Sequence, residues 1–385
     1  MSHRHLTLPT VGILAAVTLT ACVPNEEPSD GAIDVVSTAD ACDVASTDAP
    51  AGSIVFSVSN EGDDVTEFYL LAEDGLRVIS EVENIGPGLT RDLVVQVPEG
   101  TYQTACKPGM VGEGITADFT VTASNTEVAV SEDRAELLAS ASEQYVLYVR
   151  DQVSTLVAKT EAFLDAYTSG DDDTARDLYA DARVHWERIE PVAESFGDLD
   201  PSMDLREADL EDGDEWTGWH HMEKDLWPPA EGYELTDAER QALADKLAAD
   251  TAELSSRVTA EDFTFEPFQI GNGAKELLDE VAAGKVTGEE EFWSHTDLWD
   301  FQANVDGAWV AFEVLRPLVE ETDPTLVSNL EERFDALNAL LAEHGSIEDG
   351  FDLYTDLSED EVRELATSVD ALAEPLSNLT SAAVL

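Results

Sequence analysis

Basic residues are scarce in this chain of 385 residues: 20 Lys+Arg, six of them lysine, face 83 Asp+Glu, for a formal net charge of −63. A field of that sign repels nucleic acid and anionic headgroups, so neither a nucleic-acid partner nor a phosphate-binding role is expected. Catalytic signatures are missing as well. There is no H-E-x-x-H, so a zincin protease is not supported, and no G-x-S-x-G, Walker loop or G-x-G-x-x-G. With 43% apolar residues the chain still carries enough hydrophobic surface for a sizeable core, and its length favours two domains. Most of the carboxylates read as a solvated acidic surface suited to high salt or low pH. A minority are candidates for metal ligands, because the same field attracts cations.

Residues 1–22 read as an export signal. Arg4, with His3 and His5, precedes an apolar run from Val11 to Leu19 that is too short to span a membrane. The run ends in Leu19-Thr20-Ala21-Cys22, the pattern of a bacterial lipoprotein cleavage site, with Cys22 as the lipidation residue. No later stretch holds 18 consecutive apolar residues, so the mature chain is expected to meet the membrane only through that lipid, at the periplasmic face or cell surface. Residues 23–50, acidic and carrying Pro24, Pro28 and Pro50, read mostly as a tether leading into the first strand. Only Cys42 and Cys106 remain, and outside the cell they either bridge or form a thiolate metal site.

Two periodicities divide the rest. Over residues 51–130 short alternating runs (Ser53 to Val58, Val65 to Leu71, Leu89 to Val97, Ile115 to Val121) are separated by turn signals such as Asn60-Glu61-Gly62-Asp63 and Gly86-Pro87-Gly88. This spacing predicts a β-sandwich. Over residues 131–385 the period is helical. Helices are expected to about Gly170, then over about 174–195, 214–227, 236–257, 270–283, 294–320, 325–344 and 358–380, which suggests a pair of helical bundles. Thr236 with Glu239, and Ser358 with Glu361, match the capping box.

Histidine is absent from the β-half, so that sandwich cannot by itself hold a copper site needing two imidazoles beside a thiolate. The helical half is richer. In His185-Trp186-Glu187-Arg188-Ile189-Glu190, Glu187 and Glu190 fall one turn apart on one helix face, with Arg183 on the same stripe. That arrangement suits either a metal site or a salt-bridge ladder. In Gly218-Trp219-His220-His221-Met222-Glu223, His220 and Glu223 have the i, i+3 spacing that lets two side chains share a cation. The flanking Trp216, Trp219 and Trp227 imply that this helix is buried, and buried carboxylates need a partner.

Together these segments resemble the EfeO family of extracytoplasmic iron-uptake components, over about residues 32–380. The resemblance is carried by His185 to Pro191, Asp198-Leu199-Asp200-Pro201, the G-x-H-x-x-E of Gly218, His220 and Glu223, Ser294 to Phe301, and Asn304 to Ala308. In the β-half it is carried by Glu81 to Gly88 and by the Pro-x-Gly-x-Tyr run before Cys106. It implies a small cupredoxin-like β-sandwich followed by an all-α imelysin-like helical-bundle domain. It further implies a metal site of Glu187, Glu190, Asp204, His220 and Glu223, completed by Glu280 or alternatively Glu276. It points to Cys42, Glu67 and Cys106 as a second, copper-binding site; in the sequence itself Met110 follows Cys106 where a soft donor would be useful.

The family's partners are a membrane iron permease and a haem peroxidase-like protein. An oxygen-rich set with one or two imidazoles suits Fe3+ and tolerates Fe2+ or Zn2+. The expectation is thus a lipid-anchored iron-binding protein and not an enzyme. The rivals are a metal-dependent hydrolase, in keeping with the peptidase label of imelysin relatives, and an acidic adhesion or polysaccharide-binding lipoprotein. Cys22→Ala is expected to block lipidation and move the protein out of the membrane fraction, checked by fractionation and intact mass. A variant that stays membrane-bound at its normal mass contradicts the anchor.

Overall fold

The computed structural model describes residues 31–385 apart from 74, 76–77, 111–113, 125–130, 211–212, 214, 231 and 284–286. The expected signal, Cys22, the first part of the tether and the Met110 side chain lie outside the described residues. Among the described residues no helix is long and apolar enough to cross a membrane.

Nine strands come first: β1 (Ile33–Ser37), β2 (Cys42–Val44), β3 (Asp48–Pro50), β4 (Gly52–Asn60), β5 (Thr66–Leu71), β6 (Val78–Ile85), β7 (Thr90–Val97), β8 (Gly100–Cys106) and β9 (Ile115–Thr122). They form two facing sheets, in the orders β2-β1-β4-β7 and β3-β9-β8-β5-β6. Alternation explains the packing between them. Phe56 of β4 meets Phe68 of β5 and Phe119 of β9 at ring separations of 5.2 and 5.3 Å, all three fully buried or nearly so.

The sheet begins at Ile33, so the tether expected to reach residue 50 is shorter than the sequence implied. These first strands are too short for a period to show. They are held by pairing instead, β1 parallel to β4 and β3 parallel to β9. Cys42 and Cys106 form a disulfide that joins β2 of one sheet to β8 of the other. The copper-site expectation is therefore corrected: both sulfurs are bonded to each other, and neither is a thiolate for a metal.

Ten helices follow: α1 (Glu132–Ser169), α2 (Asp172–Glu187), α3 (Leu199–Asp204), α4 (Trp219–Leu226), α5 (Asp237–Val258), α6 (Pro267–Ala283), α7 (Asp297–Thr322), α8 (Pro324–Leu341), α9 (Glu359–Leu376) and α10 (Leu379–Val384). Both expected capping boxes are formed, on α5 and α9. α3 was not expected, and the helix expected over 358–380 is divided into α9 and α10. Two further differences shape the site. The helix expected over 174–195 stops at Glu187. Pro191 has no N–H to give the Glu187 carbonyl, and its ring would crowd that oxygen. Asn304 of α7 donates to the carbonyl instead, at 3.1 Å, and the chain continues as a 3-10 segment from Glu190 to Phe196.

The helix expected from 214 begins only at Trp219, after Gly218 at φ +82°. A Cβ on Gly218 would lie 2.1 Å from the Met203 carbonyl oxygen, so only glycine lets the start of α4 approach the end of α3 this closely.

The halves are packed against one another. Asn272 of α6 donates to Ser80 Oγ of β6 at 2.6 Å and to the Val94 carbonyl of β7 at 2.8 Å, both buried. α6 also lies against the 3-10 segment, where a Cβ on Gly273 would meet the Pro191 oxygen at 1.7 Å. Between β6, α6, the 3-10 segment and α3 opens a cleft of about 530 Å3.

Candidate metal centre

Arg183, on α2, is fully buried and stands among carboxylates from four segments. Its guanidinium contacts Glu187 at 2.7 Å, Glu290 at 2.9 Å, Glu291 at 2.5 Å and Asp300 at 3.5 Å, and it pairs with Asp204 at the end of α3. Beside it α4 presents His220. Nδ1 lies 3.3 Å from Glu223, while Nε2 lies 3.3 Å from Asp204 and 3.5 Å from Glu290 without a well-aligned hydrogen bond to either.

Glu223 is held in place by the chain opposite. Its Oε1 accepts the backbone N–H groups of Trp293 and Ser294 at 2.8 and 2.7 Å, which turns Oε2 toward the imidazole. Trp186 Nε1 donates to Asp204 at 2.7 Å, and Asn304 Nδ2 donates to Glu187 at 3.0 Å and Glu190 at 2.6 Å.

Charge in this cluster is unbalanced. Seven carboxylates (Glu187, Asp204, Glu223, Glu290, Glu291, Asp297 and Asp300) surround one guanidinium and one imidazole, with Arg206 reaching Glu290 from the rim at 3.2 Å. Burial would raise Asp204, but Arg183 and then His220 outweigh it and hold that carboxyl well below its usual range. Burial and Arg183 push His220 down, but Asp204, Glu223 and Glu290 win and keep the imidazole well above the usual histidine range.

For Glu291 and Asp300, which also contact the guanidinium, the balance reverses. Burial, then Glu223, drives Glu291 well up, and burial, then Glu291, does the same to Asp300, in both cases against Arg183. Burial pushes Asp297 up to about 6. Both oxygens of Asp300, Asp297 Oδ2 and His220 Nε2 are buried and make no hydrogen bond. Such a set is poised either to bind protons or to exchange them for a cation.

Five of the expected ligands converge. Glu187, Glu190 and Asp204 form one group with donor atoms within 4.8 Å of one another, Asp204, His220 and Glu290 a second, and His220, Glu223 and Glu291 a third. Glu187 and Glu190 arrive from a helix end and a 3-10 segment rather than from one helix face. Glu280, expected to complete the set, is in none of these groups; it lines the cleft with Glu276, because α6 runs along β6.

Glu290, Glu291, Asp297 and Asp300 were missed as site residues, and Arg183 was read only as sharing a helix stripe with Glu187 and Glu190. The signal available was Glu289-Glu290-Glu291 ahead of Ser294-His295-Thr296-Asp297, a polar run that belongs to the turn before α7 and so has no period. Glu190, Asp204 and Glu290 line the cleft, while His220, Glu223 and Glu291 lie behind them.

Comparison with known proteins matches this architecture. The imelysin family model matches residues 141–379, and a cupredoxin-like domain model matches residues 11–121. The chain is 38% identical over 341 residues to the iron uptake system component EfeO of Yersinia pestis, covering 88% of this chain and 87% of that one. It is 36% identical over 341 residues to the iron uptake system component EfeO of Escherichia coli O157:H7, covering 88% of each.

Removing the only fully buried guanidinium of the described residues leaves its carboxylates uncompensated. Arg183→Met is expected to cost about 3–5 kcal/mol of helical-domain stability at neutral pH, measured by urea unfolding of the metal-free protein. A variant as stable as the parent contradicts the charge assignment.

Proposed function

Because the chain belongs to the EfeO family of iron-uptake components, with a cupredoxin-like sandwich and an imelysin-like helical domain, we propose that it binds iron at His220 and releases it to a membrane permease. The observation that carries this reading is His220 held among Asp204, Glu223 and Glu290 in a buried cluster with more acids than bases. Carboxylate oxygens around one imidazole suit Fe3+ and accept Fe2+ or Zn2+.

In the metal-free protein the imidazole and the raised carboxyls carry protons. Iron replaces them, so binding releases protons and stabilises the domain. Glu190, Asp204 and Glu290 face the cleft, which supplies the route in and out that a carrier needs. Lipid on Cys22 would hold the protein outside the cytoplasmic membrane, next to the permease and a haem peroxidase-like partner. A carrier reading is preferred to a hydrolase because Glu223, the candidate base, is committed to two backbone N–H groups.

Calorimetric iron titration in buffers of different ionisation enthalpy tests the reading. His220→Ala with Glu223→Ala is expected to remove the proton-releasing binding phase while leaving the helical circular dichroism intact. An unchanged phase in that variant refutes the site.

A further inference from the structure

Of the described residues that line the cleft, Arg206 alone is basic. It follows Asp204 by two residues, in the stretch between α3 and α4. Its Nε donates to Asp209 at 2.7 Å and its Nη1 donates to Glu290 Oε2 at 3.2 Å. Asp209 is exposed and Glu290 is buried, so the guanidinium spans from solvent to the edge of the cluster. The other oxygen of Glu290 faces inward. It accepts from Arg183 at 2.9 Å and lies 3.5 Å from His220 Nε2. One carboxylate is thus divided between the rim and the imidazole.

The main chain on either side of Arg206 is pinned. Trp216 Nε1 donates to the Leu205 carbonyl at 2.8 Å. Glu207 pairs with Lys224 of α4, whose ammonium lies 4.8 Å from the ring centroids of both Tyr233 and Trp293. The freedom left is that of the arginine side chain, which is 28% exposed. Its contact with Asp209 is the shorter one and lies within a single 3-10 turn, where the Asp209 N–H also donates to the Arg206 carbonyl. The contact with Glu290 can therefore open while the contact with Asp209 is kept. Burial opposes the charge of Arg206, but Glu290, Asp209 and then Glu280 of α6 outweigh it, so the group stays a cation.

An ion that enters by the cleft and is held by Asp204, His220 and Glu290 competes with Arg206 for Glu290, and the two positive charges repel each other. We propose that Arg206 is a counter-ion gate on the iron site, an inference that rests on the iron reading given above. In the metal-free protein the gate is closed on Glu290. With the ion bound it is turned out onto Asp209, and its return to Glu290 displaces the ion. Binding has to open the Arg206–Glu290 pair, so the affinity lies below what the ligands alone would give. In exchange, the guanidinium neutralises Glu290 as the ion departs, which suits a protein that must give up its cargo.

The test is iron release from the full-length protein, loaded from ferric nitrilotriacetate, desalted and mixed with excess EDTA in a stopped-flow absorbance experiment. Arg206→Gln is expected to slow release about tenfold. Asp209→Asn removes the open position and is expected to speed release. In the Arg206→Gln background Asp209→Asn is expected to change release little, because Asp209 acts through Arg206. Two shifts that simply add mean that both groups act only as distant charges, and they overturn the gate. Release from Arg206→Gln that is unchanged or faster overturns it as well, the arginine then only holding Glu290 in place. Should Arg206→Gln not fold, Arg206→Lys is read instead. It keeps the charge but not the planar fork that spans two carboxylates, so slower release is again expected and unchanged release overturns the gate. His220→Ala with Glu223→Ala separates the two readings. If that variant releases iron as the wild type does, the iron site and the gate fail together. If it loses the release phase while Arg206→Gln releases iron at the wild-type rate, the iron site stands and the gate alone fails.

Discussion

The helical domain is organised around an excess of buried negative charge. Arg183 is the one fully buried guanidinium among the described residues, and it bonds carboxylates from α2, the end of α3, the turn before α7 and α7 itself. One guanidinium and one imidazolium cannot compensate seven acids, and what is left over is distributed as raised pKa values and orphaned oxygens. The protein thus carries a built-in demand for cations. In the proposed reading, protons meet it in the metal-free state and an iron ion replaces them, so that binding and folding would be coupled through the same charges.

Backbone features place those charges. Pro191 ends α2 and sends Glu190 toward the cleft, while Asn304 donates to the buried Glu187 carbonyl at the helix end and ties both acids together. Gly218 permits the contact that brings α4 against α3, and with it His220 against Asp204. The two N–H groups of Trp293 and Ser294 fix Glu223. Three devices from distant parts of the sequence therefore converge on one imidazole. The buried rings of Phe163, Tyr179 and Trp219 pack with centroids 5.3 to 5.9 Å apart and adjoin the cluster through the Tyr179 hydroxyl, which donates to Glu291 at 3.3 Å.

Much of this was legible in the sequence. The change of period near residue 131, the capping boxes at Thr236 and Ser358, and the spacing of His220 and Glu223 each rest on local rules, and each is present in the structure. What was illegible depended on long-range pairing. β1 to β3 are too short to show alternation and exist because β4 and β9 pair with them. Glu290 and Glu291 sit in a turn whose acids look like ordinary solvated surface until α2 is packed beside them. Glu280 has the right chemistry but lies on a helix that the Gly273 contact with Pro191 places along β6. Cys42 and Cys106 were ambiguous because bridge and thiolate site share the same residues, and only the pairing of the two sheets decides between them.

The central claim is that a cation takes the place of protons around His220. Anomalous diffraction at the iron edge from crystals soaked in iron tests it most directly. The account predicts a peak within coordination distance, about 2.0–2.2 Å, of a His220 ring nitrogen and of carboxylate oxygens from among Asp204, Glu223 and Glu290. Iron found only on surface carboxylates, with no peak at His220, would contradict it.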